Sequence, residues 1–489
     1  MGEAIRFEIS SDSCPEALVN AFVAAMDTAT GSFAEREVVA LTMGNQLVRR
    51  WIEHALQQVA DEIGDEVQVS GARYRRGSEG AGRYHTLCGP VVVQRASYRL
   101  VGVHNGATVV PLELKAELRE NATPALAFSV TQGFAERPLR HYELEMEAAH
   151  RATPSRSTLE RIGKRTGDAI QEAVSSIEPT VRSRESVVAD VQAISFGLDR
   201  TTVPMAETTD APRSDRRRPY VRSAPRPVEV AYRMAYVGTV SLHDSDGKSL
   251  LTKRFAATAH EGPDELVERI AKEVLHQKAR YGDVPISVIQ DGAPELWNLV
   301  GEMCTKHHVT PRFELIDRFH VDERLAAVCE AVSGDVWSAQ LLREAWRIQL
   351  DRSDTAIDRI VRRIDELLTH LACGATDGEP MPGFWKRRAR STISNDAIRV
   401  LGENIEYVRN NRARLRYASS RFGRLPVGSG PTEGACKSVI AMRFKRSGQR
   451  WFETGLAPCL SLRALHLSER LRACFDYVQA TRFATLEAA

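Results

Sequence analysis

The chain has 489 residues, 43% of them hydrophobic and 27% charged, with a formal net charge of +2; the length suits about three domains and the composition is that of a globular protein. With so little bulk charge, any nucleic-acid surface must come from local clustering of basic residues. No apolar run approaches the roughly 20 residues of a membrane helix, the N-terminus lacks a signal-peptide core, and the eight scattered cysteines form no CxxC pair, which argues against a disulfide framework or a zinc knuckle and predicts a soluble cytoplasmic protein without a membrane partner.

In chain order, apolar residues at three- and four-residue spacing predict a mainly helical region over 1–80. A small β segment follows over 81–112, where RYHTLCGPVVVQRASYRL sets a Gly89-Pro90 turn between two strand-like runs. Residues 113–185 return to helix, broken at Ala152, Thr153 and Pro154, with Ser157 and Glu160 at the spacing of a capping box for the next helix. This break has the proportions of a helix-turn-helix, whose second helix carries Arg156, Arg161, Lys164 and Arg165. Such a helix suits a DNA major groove; the alternative is a helical hairpin with a solvated basic face.

Residues 186–320 read as three strands, a helix, a strand, a helix and a fifth strand, preceding a charged, helix-compatible stretch over 321–427 and a final part of 428–475 with a tail of 476–489. Three sequential strands imply an antiparallel meander and the later alternation implies parallel crossovers, hence an α/β chain with one mixed sheet. Three apolar runs are followed directly by Asp199, Asp291 and Asp317. An aspartate there often marks only a turn, but ligand sites in such sheets gather beyond strand ends, and three acids at equivalent positions point to a site. Asp291 is followed by Gly292, which permits close backbone approach.

GSGPTEGACKSVIAMRFKRSGQRW, residues 428–451, places Glu433 in the first turn of a helix that Pro431 can open, with Lys437, Arg443, Lys445, Arg446 and Arg450 behind it. Carboxylates brought together from separate elements can hold a pair of hard cations on a phosphodiester, and cations beside them position a DNA backbone without reading its sequence. Cys436, Trp297 and Trp451 read as packing, and His307 and His308 as structural.

The combination of GLDRTTVPM, VIQDGAPELW, DRFHVDERL and the 428–451 block resembles the DDE transposases of bacterial insertion sequences, nearest to the ISKra-four family and akin to the ISL-three and Mutator-like groups, over roughly residues 80–470. That resemblance implies an RNase H-like catalytic core with a helical insertion, and Asp199, Asp291 and Glu433 as a metal-binding triad for two Mg²⁺ (or Mn²⁺) ions. It implies hydrolytic nicking and strand transfer at the terminal inverted repeats of an element and at target DNA, by a homodimer or higher oligomer in a bacterial, nucleoid-associated setting. Asp317 and His320 resemble the Asp/Cys-x-x-His signature of Mutator-like cores, a supporting pair. Relatives carry a cysteine pair where this chain has YRLVGVHNG, so no structural zinc is expected, and they commonly have glycine where Arg200 follows the first acid. The alternatives are a domesticated, catalytically weakened DNA-binding derivative, which Arg200 keeps open, and an RNase H-like structure-selective nuclease. A haloacid-type phosphatase is disfavoured because Thr201 stands where that chemistry expects an acid.

Overall fold

The computed structural model describes residues 15–27, 30–208, 228–372, 381, 383–389, 393–483 and 486–488. The chain divides into two compact units, one of residues 1–178 with 471–489 and one of 179–470.

The first unit opens with α1 (Pro15–Asp27) and α2 (Phe33–Asp61), the latter started by a Ser32/Glu35 capping box. Strands β1 (Glu66–Val69), β2 (Ala72–Thr86), β3 (Gly89–Leu100) and β4 (Thr108–Val109) follow, then α3 (Pro111–Lys115), α4 (Pro124–Glu136), α5 (Leu139–Ala148) and α6 (Arg156–Glu172). The division between the units falls within α7 (Val174–Arg184).

The second unit holds β5 (Ala193–Thr208), β6 (Val228–His243), β7 (Ser249–Ala257), α8 (Asp264–Tyr281), β8 (Ile286–Gln290), α9 (Pro294–Lys306) and β9 (Phe313–Ile316). Helices α10 (Arg318–Val332), α11 (Val336–Arg352), α12 (Ala356–Ala372), α13 (Asn395–Asn410) and α14 (Tyr417–Phe422) come next. Then α15 (Gly430–Ala435) runs through a π-helical turn (Cys436–Ala441) into α16 (Met442–Phe444), and α17 (Glu453–Leu467) closes the unit. The chain then returns to the first unit as α18 (Leu471–Phe483) and β10 (Leu486–Ala488), which pairs with β1.

The second unit is built on the expected mixed sheet, in the order β7-β6-β5-β8-β9. The β5, β6 and β7 neighbours are antiparallel, whereas β5, β8 and β9 run parallel. One apolar core runs from this sheet through α8 and α9 into α10–α13, tied by Phe196, Ile270, Leu315, Val328, Trp346 and Leu401. Between β9 and α15 the elements of the described residues are all helical, and no helix among the described residues is long and apolar enough to cross a membrane.

Three boundaries differ from the sequence reading. The N-terminal β segment is a five-stranded sheet, β10-β1-β2-β3-β4, that starts at Glu66 rather than near 81. Its strand β2, ARYRRGSEGAGRYHT, is exposed along its middle and carries no apolar run to betray it. The C-terminal tail is a helix and a strand of the first unit. Strand β5 does not end at Asp199 but continues to Thr208, paired with β6 throughout. Beyond Asp199 the pair leaves its flanking strands, since β8 is matched only to Phe196 and β7 only as far as Tyr236. The result is a two-stranded arm, met on its β5 edge by Trp451, whose N–H donates to the Pro204 carbonyl at 3.0 Å.

Candidate active site

Register brings the three aspartates level. Ile194–Phe196 lie beside Ile286–Val288 and Ser287–Gln290 beside Phe313–Ile316. Continued along the strands, the same offsets set Asp199 beside Asp291 and Asp291 beside Asp317. Asp199 and Asp291 act on each other electrostatically. Burial lifts the Asp199 carboxyl above the usual carboxylate range and the Asp291 charge adds to the lift, opposed by hydrogen bonds from the Cys436 thiol and the Arg200 N–H and by the nearby His320. The Arg200 N–H donates to Asp199 Oδ1 at 2.7 Å. Two carboxylates forced together in this way form a hard oxygen donor pair whose repulsion a divalent cation would relieve.

Asp291 is held by its own turn: Oδ1 accepts from the Ala293 N–H at 2.9 Å, and the indole N–H of buried Trp297 donates to the Asp291 carbonyl at 2.6 Å. It opens onto a cleft of about 570 Å³ shared with His320, Glu323, Arg324, Asn404 and Tyr407. Gly292 is required there for a reason the sequence does not disclose. A Cβ at that position would lie 2.4 Å from the Tyr407 hydroxyl, which is hydrogen-bonded to the Gly292 backbone and kept protonated by burial and by the Asp291 charge. The close approach is therefore made by a side chain of α13. The Arg324 guanidinium stacks on that ring, 4.9 Å from its centroid, a cation–π contact that helps to hold it.

Helix α15 crosses the sheet beside this pair because Gly197 leaves room for it. A Cβ on Gly197 would sit 2.1 Å from the Ile289 carbonyl and 3.1 Å from the Thr432 hydroxyl, which in turn bonds Thr239 at 2.6 Å. Three residues after Glu433, on the same helix face, the Cys436 thiol donates to Asp199; burial and the Asp199 charge hold that thiol far above its ordinary range. Cys436 is thus more than packing. Glu433 itself is 38% exposed at its side chain and forms an i,i+4 ion pair with Lys437 at 2.8 Å. Among the described residues no group of three or more His, Cys, Asp or Glu side chains is gathered to hold a metal ion. Asp199 and Asp291 are brought together; Glu433 stands one helical turn from the Cys436–Asp199 contact, engaged with Lys437.

Asp317, 2% exposed, is a tether. Its Oδ1 caps α10 through the Phe319 N–H at 2.6 Å, while its Oδ2 accepts from the Ser429 N–H at 2.6 Å and from the Ser429 hydroxyl. One carboxylate therefore ties the end of β9 to the loop that launches α15. His320 faces the cleft and contacts Glu323 at 3.4 Å. The Arg200 guanidinium pairs with Glu295 on α9, and His307 pairs with Glu268 at 2.8 Å.

The basic residues divide sharply. Lys445, Arg446 and Arg450 are exposed, and Lys445 donates to the Thr201 hydroxyl. Arg443 does not join them: it is 3% exposed, with its guanidinium 4.8 Å from the Trp451 ring centroid. In the first unit, Arg156 pairs with Glu143 at 2.8 Å, Arg161 with Glu120 at 3.0 Å and Lys164 with Glu160 at 2.6 Å, while Arg165 is exposed. There α6 begins at Arg156 after Ser155, which makes no capping bond, in place of the expected Ser157/Glu160 box. No model of a known protein family matches this chain, and no curated protein matches it.

Proposed function

We propose that the second unit is an RNase H-like core of the DDE type, and that the protein cuts and joins DNA by metal-assisted phosphoryl transfer, as a transposase does at the ends of a mobile element. The observation that carries this reading is the half-buried Asp199–Asp291 pair, one acid on β5 and the other just past the end of the neighbouring parallel strand β8, crossed by the helix that bears Glu433. The strand order, with β6 alone running antiparallel to β7, β5, β8 and β9, supports the fold reading. The expected partner is double-stranded DNA.

In this account Asp199 and Asp291 would hold the divalent cation, Mg²⁺ or Mn²⁺, and Glu433 would join them from above. When bound, the metal supplies Lewis-acid stabilisation of a phosphodiester and acidifies water. The Glu433–Lys437 pair is a solvent-screened surface i,i+4 contact, so releasing Glu433 toward the aspartates costs little. Lys437 is then free to meet the DNA backbone. Trp297, the Ala293 N–H and Cys436 hold the two aspartates in place, and the Asp317–Ser429 tether fixes where Glu433 starts from. The Arg200 guanidinium is engaged by Glu295.

The test is incubation of the purified protein with Mg²⁺ and duplex oligonucleotides carrying the DNA that flanks its gene. Metal-dependent, end-specific nicking is expected, lost in Asp199→Asn and Glu433→Gln; nicking that survives both substitutions would sink the assignment. The Glu433–Lys437 pairing favours one second reading, a DNA-binding derivative that keeps the architecture without the chemistry. That protein would bind the same oligonucleotides and nick none.

A further inference from the structure

We propose that the groove along the β5–β6 arm holds an unpaired DNA strand, with Tyr232 as the surface on which a base stacks; the inference rests on the reading of DNA as the substrate. Tyr232 lies opposite Pro204 in the arm and is 71% exposed. It borders a groove of about 440 Å³ whose other walls include Thr202, Pro204, Lys445, Arg446 and Arg450. Among the described residues no acidic side chain lines that groove. Arg446 and Arg450 form no ion pair among the described residues, unlike the neighbouring Arg233, which Glu207 grips through two hydrogen bonds of 2.6 and 2.8 Å.

The shape selects the ligand. A duplex offers phosphates outward and hides its base faces, so it would use the three cations and leave the tyrosine ring in water. An unpaired strand uses both, since a base of any identity presents a face to the ring while its phosphates meet the cations. Gly448, at φ +72°, makes the turn that carries Arg446 and Arg450 around the arm. The groove lies near the acids along the chain but on the other face of the arm. Thr202 is three residues from Asp199 on β5, about 10 Å along an extended strand, and alternation puts it on the face opposite the acid.

Binding of a labelled oligothymidylate of about 12 nucleotides and of a hairpin duplex of equal length tests this, without metal so that no cleavage intervenes. Tyr232→Ala is expected to weaken the unpaired ligand about tenfold, the loss of one stacked base, and to leave the duplex within about twofold. Tyr232→Trp should retain binding. Replacing Lys445, Arg446 and Arg450 by Gln should weaken both ligands. If Tyr232→Ala leaves the oligothymidylate unaffected while the triple Gln variant weakens both ligands, the stacking site is wrong and the DNA reading stands. If the triple variant weakens neither, both fall.

Discussion

Two groups of basic residues look alike in the sequence and are used differently. Three of the four in α6 sit against carboxylates, Arg156 on Glu143, Arg161 on Glu120 and Lys164 on Glu160, with Arg165 exposed, whereas Lys445, Arg446 and Arg450 project from a turn whose groove has no acid among the described residues. An exposed ion pair contributes at most about 1 kcal/mol, and a cation already paired offers a phosphate less than an unpaired one. On the proposed reading, the cations freest to meet a phosphate are therefore Lys445, Arg446 and Arg450. The far end of this scale is Arg470, buried between Glu185 at 2.8 Å and Glu273 at 2.8 Å.

The largest expected effect follows from that extreme. Arg470→Met removes the main partner of buried Glu273 and half-buried Glu185, leaving Arg182 and Lys253 beside them, and should destabilise the protein by about 3–5 kcal/mol in chemical denaturation; a loss below about 1 kcal/mol would break the distinction. Acid should act on the same cluster. Burial alone would raise the Glu185 carboxyl, but Arg470 and Lys253 outweigh it and hold it at about 2. Its folded value lies below its unfolded one near about 4.3, so its contribution is complete above that value and lost as pH falls toward 2. A Glu185→Gln variant should show a shallower fall in stability across that window than the wild type.

Next comes the unpaired group. Changing Lys445, Arg446 and Arg450 to Gln should lower the salt dependence of duplex binding by about 0.9 for each phosphate that is no longer neutralised, with stability within about 0.5 kcal/mol of the wild type. The smallest effect is expected in α6, where Arg156→Gln with Arg161→Gln should change DNA affinity less than about threefold, under about 1 kcal/mol. A larger drop in affinity, measured by fluorescence anisotropy, would restore the helix-turn-helix surface and erase the contrast.

Much of the second unit is legible in the sequence because its apolar runs are short and end in turns: PISVIQ before Asp291 and RFELI before Asp317 mark β8 and β9 directly. Asp199 is found but misplaced, since the polar continuation RTTVPMAET reads as the end of a strand and is ordered by pairing with β6. Arg443 reads like its neighbours because spacing along a short helix does not reveal which cation a tryptophan will cover. Tyr407 carries no signal at all: its role depends on α13 reaching Gly292 from far along the chain. The first-unit sheet is hidden in the same way, its edge strand β10 lying at the opposite end of the sequence.

Asp199 and Asp291 are proposed to hold a divalent cation together. Titrating Mn²⁺ into the protein and following the free-ion signal by electron paramagnetic resonance tests it directly. The wild type should deplete that signal, and Asp199→Asn and Asp291→Asn should each abolish the depletion while remaining folded; equal depletion by all three proteins would contradict the account.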